Sequence, residues 1–492
     1  MKSYRPYSPE QSYLLPPSPR EWLPAGHLAY FILSLVQELD LSAIEKVVQA
    51  KDPRGERPYS PEMMSSLLLY AYATGVYSSR RIARACIEDV AFRELAGGAQ
   101  PYFTTVNQFR ATHLDALGAL FIQVLKACQS EGLVKLGHVA IDGTKMKANA
   151  SKHKAMSHER METDDARLRA EIQEWFERAQ AVDAEEDALY GTHDPKEEIR
   201  LREERLEKMA RAKEALKKEV AAARAARLRE QAEELRKKAE EPTRSPRKRA
   251  EAATLAKKRD AQASLFDDDQ DPPPPPGVDA DLPRNVPPHR PDGTPKPRAQ
   301  RNFTDPDSRI MVRDGAFMQA YNAQIAVDDA HQIIVAAAVG NQGPDNEYFA
   351  PMLRRVVTNC DAVPEAATAD SGYFSAEAVR YAEHLGVEPY ISVGKHRNDG
   401  TQGAAPERPQ HRTAAKLAMR ATLETERGSE IYRLRKSTVE PVFGQIRTPR
   451  RFGQFSFRGL IKTRCEWLLV CLTHNILKLW RYGKPRTHAL AA

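Results

Sequence analysis

Residues 138–154 read HVAIDGTKMKANASKHK. With the preceding LVKLG, the apolar run predicts one β-strand over 133–142 that closes on Asp142. Lys145, Lys147 and Lys152 follow at once, with Asn149 and Ser151 between them. Strand ends in an open α/β sheet line the crevice where such sheets bind ligands, so an acid placed there is a candidate for chemistry. An Asp-Gly pair after a strand is also a common turn, and Asp142 alone supports both readings.

Downstream, residues 158–262 are dominated by Ala, Glu, Lys, Arg and Leu, with apolar residues recurring at three and four. This predicts a long helix, a helical hairpin or a coiled coil, with mixed charges that suit a solvated surface. The proline-dense stretch 266–305 predicts an extended, mobile, disordered linker. Strand signals then return. Residues 316–340 predict a β-hairpin whose tip holds Asp328 and Asp329 facing solvent, with Asp314 turning the chain before it. A helix follows, capped by Asp345. EAATADSGYFS (365–375) predicts a strand, a turn and a helix capped by Ser375, and VEPYISVGK (387–395) predicts another strand. STVEPVFGQIR (437–447) opens a helix, and the chain closes on one more. Without 150–305 the order is β, β-hairpin, α, β, α, β, α, which implies a mixed sheet flanked by helices and interrupted by an insertion at its edge.

Upstream, 27–130 is helical, and three short helices with tight joints resemble a helix-turn-helix module. In that reading Arg80, Arg81 and Arg84 face phosphates from one helix, and Asn107 and Arg110 reach DNA from the next. The same pattern also fits an ordinary helical bundle with a solvated basic face. The chain has 492 residues, too many for one core, and a net charge of +7 that fits nucleic acid as a partner. Its five cysteines show no zinc spacing and predict buried free thiols in a reducing compartment. No apolar stretch has the form of a signal peptide or a membrane span, so we expect an intracellular, cytoplasmic protein with no membrane partner.

Three acids are candidates for catalysis: Asp142, Asp370 at the end of EAATAD, and Glu440 in the helix at 437–447. Carboxylates gathered at one sheet end repel one another and stay ionised together when a cation lies among them. Oxygen ligands of this kind suit magnesium or manganese, and paired ions support phosphoryl transfer. Each acid has a local alternative: Asp370 as a turn, Glu440 as the brace of a capping box begun by Ser437. With Thr438 as N-cap, Pro441 falls in the first turn and Glu440 is free to point elsewhere.

AIDGTKMKANAS, ATADSGYFS and TVEPVFGQIR, in that order and behind this helical N-terminal half, resemble the DDE transposases of bacterial insertion sequences, whose catalytic domain is ribonuclease-H-like. The resemblance implies an α/β fold with a ribonuclease-H-like mixed sheet and an all-α N-terminal domain. It places the catalytic and metal-holding acids at Asp142, Asp370 and Glu440, with two Mg2+ or Mn2+ ions. It further implies cleavage at terminal inverted repeats, joining of the freed 3′-hydroxyl to target DNA, and a homodimer pairing two ends, near the bacterial nucleoid. Tyr432, either Arg435 or Lys436, and Arg447 match the supporting residues around the glutamate. The layout is then an extension (1–26), a helical DNA-binding domain (27–130), a catalytic domain split into 131–152 and 306–480 by a charged helical insertion (153–265) and the linker (266–305), and a tail (481–492). Residues 395–464 hold 16 Lys and Arg against 6 acids, so positive charge concentrates around the site. Phe452, Phe455 and Phe457 there either stack on bases or pack in the core. A ribonuclease-H-like nuclease that cuts without joining, and a non-catalytic DNA-binding scaffold, are the competing readings.

Overall fold

A computed structural model describes residues 19–50, 57–151, 155–182, 195–241, 245–264, 266, 281–292, 294–313, 315–394 and 414–484. Up to Ser130 the regular elements are all helices: α1 Pro19–Trp22, α2 Leu28–Glu38, α3 Ser42–Gln49, α4 Pro61–Thr74, α5 Ser79–Glu88, α6 Val90–Leu95, α7 Phe103–Thr112 and α8 Leu114–Ser130. Ser60 caps α4 and Pro61 opens it, as their chemistry favours.

The first strand, β1 His138–Lys147, runs five residues past the expected end, so Asp142 sits in mid-strand and Asp142-Gly143 is no turn. Gly143 is required there, because a Cβ would lie 2.1 Å from Gln324 Nε2 and 2.9 Å from the Tyr373 hydroxyl. The insertion follows: β2 Ala155–Ser157, α9 His158–Val182, α10 Pro195–Glu240 and α11 Pro246–Ser264. Then come β3 Gln300–Asn302, β4 Arg309–Arg313, β5 Ala316–Asp328 and β6 Ile334–Gly340. The chain continues with α12 Phe349–Cys360, β7 Ala366–Ala369, α13 Ala376–His384, β8 Glu388–Ile391, α14 Ala414–Glu424, α15 Glu426–Arg447 and α16 Leu460–Tyr482.

The main sheet runs β4-β5-β1-β7-β8, with β6 also paired to β5 beyond β4. β5 is antiparallel to β1, β4 and β6, whereas β1, β7 and β8 are parallel. β1 is therefore a central strand, not an edge. The insertion leaves from the centre and returns through β4, with β2 and β3 pairing antiparallel at its base. Within it, α10 packs against both α9 and α11, burying Leu216, Val220, Ala225 and Ala232. The expected mobile linker is anchored over its second half: Leu282 is buried and Asp281 pairs with Arg355 at 2.8 Å.

Three further expectations change. α15 begins at Glu426 with Thr425 as cap, so Ser437, Thr438 and Pro441 are interior to a helix already under way. The Ser437 and Thr438 hydroxyls bond back to Leu434 O instead of capping. Asp328 is fully buried and accepts from Lys135 N and Leu136 N, fastening the hairpin tip to the lead-in of β1. Asp345 does not cap α12; its carboxylate turns into the sheet crevice. Asp314 lies outside the described residues.

One apolar core joins the helical half to the sheet, with α16 packed against α4, α8 and β6. Polar groups are buried in the same contact. Arg110 donates to Tyr77 O at 2.6 Å and to the Tyr72 hydroxyl, which donates to Glu466 at 3.2 Å. Glu466 also accepts from Ser456 N, and Arg450 donates to Tyr72 O and Val470 O. All five cysteines are free and buried. Among the described residues, no helix is long and apolar enough to cross a membrane.

Gly75 ends α4 at φ +80°, where an added Cβ would stand 2.6 Å from Arg450 O. Gly75→Ala therefore combines left-handed strain with a backbone clash, at a cost of at least about 2 kcal/mol. Thermal unfolding should show a midpoint several degrees lower; an unchanged midpoint would contradict the seating of α4 on the 448–459 segment.

Candidate active site

Parallel pairing of β1 with β7 ends at Ala140 and Thr368. Asp142 and Asp370 each lie two residues further on, so they stand side by side where β7 ends and β1 continues paired to β5. Asp370 Oδ1 accepts from Gly372 N at 2.8 Å, which sets the short turn after β7. Asp345 completes a trio: a Cβ on Gly372 would lie 3.0 Å from Asp370 Oδ1 and 3.8 Å from Asp345 Oδ2.

Beneath them is a polar floor. Asn322 and Gln324, successive inward residues of β5, donate to Asp345 Oδ1 at 2.7 and 2.9 Å. The buried Tyr373 hydroxyl donates to Gln324 Oε1. Burial, then the charges of Asp345, Asp142 and Asp370, hold that hydroxyl well above its ordinary pKa, so it stays a donor.

Two cations stand among the acids. Lys145 Nζ contacts both Asp345 oxygens, at 3.0 and 3.1 Å. Arg435, buried in α15, places Nη1 3.2 Å from Asp142 Oδ2 and Nη2 4.0 Å from Glu440 Oε1. Tyr432 lies under the same guanidinium, 5.9 Å away. Lys436 is exposed, so Arg435 is the basic residue that reaches the acids. Glu440, with its side chain 57% exposed, meets the aspartates only through Arg435. Among the described residues no three His, Cys, Asp or Glu side chains form a ready metal cage. The donor set is nevertheless all carboxylate oxygen, the type that hard divalent cations take.

Other expected contacts fall elsewhere. Lys147 is exposed. Asn149 is spent on Ser456 O at 2.6 Å, Ser151 O accepts from Asn302, and Lys152 lies outside the described residues. Arg110 is buried in the core network and unavailable to DNA, and Asn107 accepts from it at 3.2 Å. Arg80, Arg81 and Arg84 are exposed on α5, but Arg84 pairs with Glu88 and Arg80 lies over the Phe103 ring. Arg447 lies 5.8 Å from the Phe443 ring. Phe452 and Phe455 are core residues, and Phe457 carries Arg110 over its face. Asp345 was missed as a site residue: it lies five residues beyond the end of β6, whereas Asp370 directly follows β7.

Residues 17–112 match the family described as a transposase domain, and residues 295–476 match the transposase DDE domain. Asp370 and Glu440 fall inside the second match; Asp142 falls in neither. The chain belongs to the DDE transposases of insertion sequences, a class of nucleotidyl-transfer enzymes. No curated protein and no solved structure matches it.

The Asp142 carboxyl is pushed up to about 6, first by burial; Gly143 N–H and Arg435 pull it down, while Asp370 and Asp345 raise it. Its unfolded value is 3.8, so the native state binds the proton more tightly. That contribution is full below 3.8 and is lost as pH rises through about 6, a swing of about 3 kcal/mol. With divalent ions chelated, Asp142→Asn should raise the thermal midpoint at pH 7.5, and the gain should shrink as pH falls from about 6 towards 4. A gain that ignores pH would remove burial of this charge as its source.

Proposed function

We propose that this transposase cuts DNA at terminal inverted repeats and joins the freed 3′-hydroxyl to target DNA, on a ribonuclease-H-like sheet. The observation that carries the reading is Arg435, which ties Asp142 on β1 to Glu440 on α15 beside Asp370 on β7. Acids remote in sequence thereby share one sheet end. The strand order supports the fold assignment, with an antiparallel hairpin on one side of β1 and two parallel strands on the other.

Asp142, Asp370 and Glu440 would hold divalent magnesium or manganese, two ions when loaded, which supply charge for an attacking and a leaving oxygen. In cleavage a water oxygen bonds to phosphorus and the bond to the 3′-oxygen breaks, leaving a 3′-hydroxyl and a 5′-phosphate. In joining, that hydroxyl attacks a target phosphorus and displaces the target's own 3′-oxygen, so one phosphodiester forms for each broken. Arg435 and Lys145 hold the acids together and oriented before DNA arrives. Tyr373 and Gln324 hold Asp345 from below.

DNA contacts are assigned to exposed cations: Arg81 on α5, Lys436 on α15, and Lys147 and Arg458 beside the site. A further cleft of about 330 Å3 lies between α10 and the turn at 288–296. Arg224, Arg227, His289, Arg290 and Lys296 line it, with no carboxylate among its lining residues. A dimer would pair two element ends.

The test takes terminal repeats from the DNA flanking the gene. With magnesium, wild type should cut a repeat duplex and join its 3′ end to plasmid. Asp142→Asn, Asp370→Asn and Glu440→Gln should each cut at least about a thousandfold slower yet bind the duplex. Nicks without joined product would favour the plain nuclease, and unimpaired cutting in any variant would remove that residue from the site. Separately, replacing Arg227, Arg290 and Lys296 with Gln should flatten the salt dependence of DNA binding by a slope of roughly 3. An unaltered slope would clear the cleft of backbone contacts.

A further inference from the structure

We infer that Gln332 is a positioning residue for Glu440, supplying from outside α15 the hydrogen bond that Pro441 cannot make. The inference rests on the transposase reading of Glu440. In a helix the N–H of residue 441 would bond Ser437 O, but proline has none and its ring crowds that carbonyl. Gln332, at the tip of the β5–β6 hairpin, donates from Nε2 to Ser437 O at 3.0 Å. The bond reaches the same helical turn that carries Glu440.

The amide's orientation is forced from both ends. Ser437 O can only accept, so the atom facing it is the NH2 group. Lys478 Nζ can only donate, and it stands 2.9 Å from Gln332 Oε1, which also receives Gln445 Nε2 at 3.4 Å. The Gln332 backbone is fixed as well: its carbonyl accepts from His474 Nε2 at 2.9 Å, and the residue sits at φ +58°. A non-glycine residue in that left-handed region is uncommon and persists where its surroundings hold it. One residue thus links the hairpin tip, α15 and α16 around the single break in the α15 backbone ladder. Upstream in that helix, Arg435 already clips α15 to Asp142, so Gln332 fixes the second end of the segment that presents Glu440.

The experiment compares wild type, Gln332→Ala, Gln332→Glu, and each of these combined with Pro441→Ala, all as full chains. Gln332→Glu keeps an acceptor for Lys478 but loses the donor to Ser437 O, so it separates this bond from general packing. Both single variants should cut terminal-repeat DNA about tenfold slower at saturating DNA, with KM for DNA unchanged and a higher magnesium half-saturation. Pro441→Ala restores an N–H for Ser437 O and should return the double variants to within about threefold of wild type. Hydrogen exchange of the peptide 434–447 should quicken in the single variants and recover in the doubles. Single variants with wild-type cutting and exchange, or doubles no faster than the singles, would overturn the inference. If wild type itself cuts no DNA, the functional reading fails instead. Exchange then decides the bond alone: quickening reversed by Pro441→Ala supports it, and unchanged exchange sinks it.

Discussion

The contact between Arg435 and Asp142 governs how this chain can bury an acid in the middle of a strand. Asp142 loses most of its hydration on β1 and stands near Asp370 and Asp345, all of which oppose its charge. A guanidinium 3.2 Å away offsets part of that cost, and being itself buried it acts through little intervening water. Lys145 does the same for Asp345. Yet for the four carboxylates Asp142, Asp345, Asp370 and Glu440, the ion pairs among the described residues come from these two cations. Incoming phosphate would deepen that imbalance, and divalent cations would correct it. The electrostatics of the bare site thus lean towards the ion requirement that the family implies.

The helical N-terminal half is part of the same construction. Arg110, Tyr72, Glu466 and Arg450 form a buried polar chain from α7 and α4 to α16 and the 448–459 segment. Burial pushes Glu466 upward, while Arg110 and the Ser456 and Phe457 N–H groups favour its charge. Breaking any one partner would strand a buried polar group, which costs more than the bond itself contributes. Such a network fixes the relative position of the two halves more sharply than apolar packing alone. Any DNA held by α5 is then presented to the sheet in a set geometry.

Much of this was legible from patterning. Alternating and apolar runs located the strands after residue 316, Ser375 marked the start of α13, and the run into Asp142 marked a strand, though not its place at the centre of the sheet. The misses share a cause: local chemistry was outweighed by a partner distant in sequence. Arg110 sits on a helix in a basic region, but Tyr72 and Tyr77 O capture it. Asp345 precedes a helix and looked like a cap, but Lys145, Asn322 and Gln324 draw it inward. Asp328 looked like a tip residue and instead receives two N–H groups of the lead-in to β1. Pro441 suggested a helix start because nothing nearby in sequence revealed the Gln332 amide that lets the helix run through it.

The placement of the insertion explains how the first acid can be severed from its partners without losing register. Asp142 lies upstream of α9, α10 and α11, whereas β4 and β5 lie downstream of them. Closing so long an excursion costs entropy that grows only slowly with its length, so a modest clamp at its base is enough. That clamp is the β2–β3 pair, with Ala155 opposite Asn302. A second tether fixes the arm to the sheet: Glu219 on α10 pairs with Arg301 at 2.8 Å and with Arg309 on β4. Glu219 is largely buried there, so removing either arginine would leave its charge poorly compensated. With the base zipped and α10 docked, nine consecutive β1 residues from Val139 to Lys147 pair with β5 as if the intervening helices were absent. Asp142 then meets Ile325 in a register that sets it beside Asp370, and the site needs no continuity of chain to assemble.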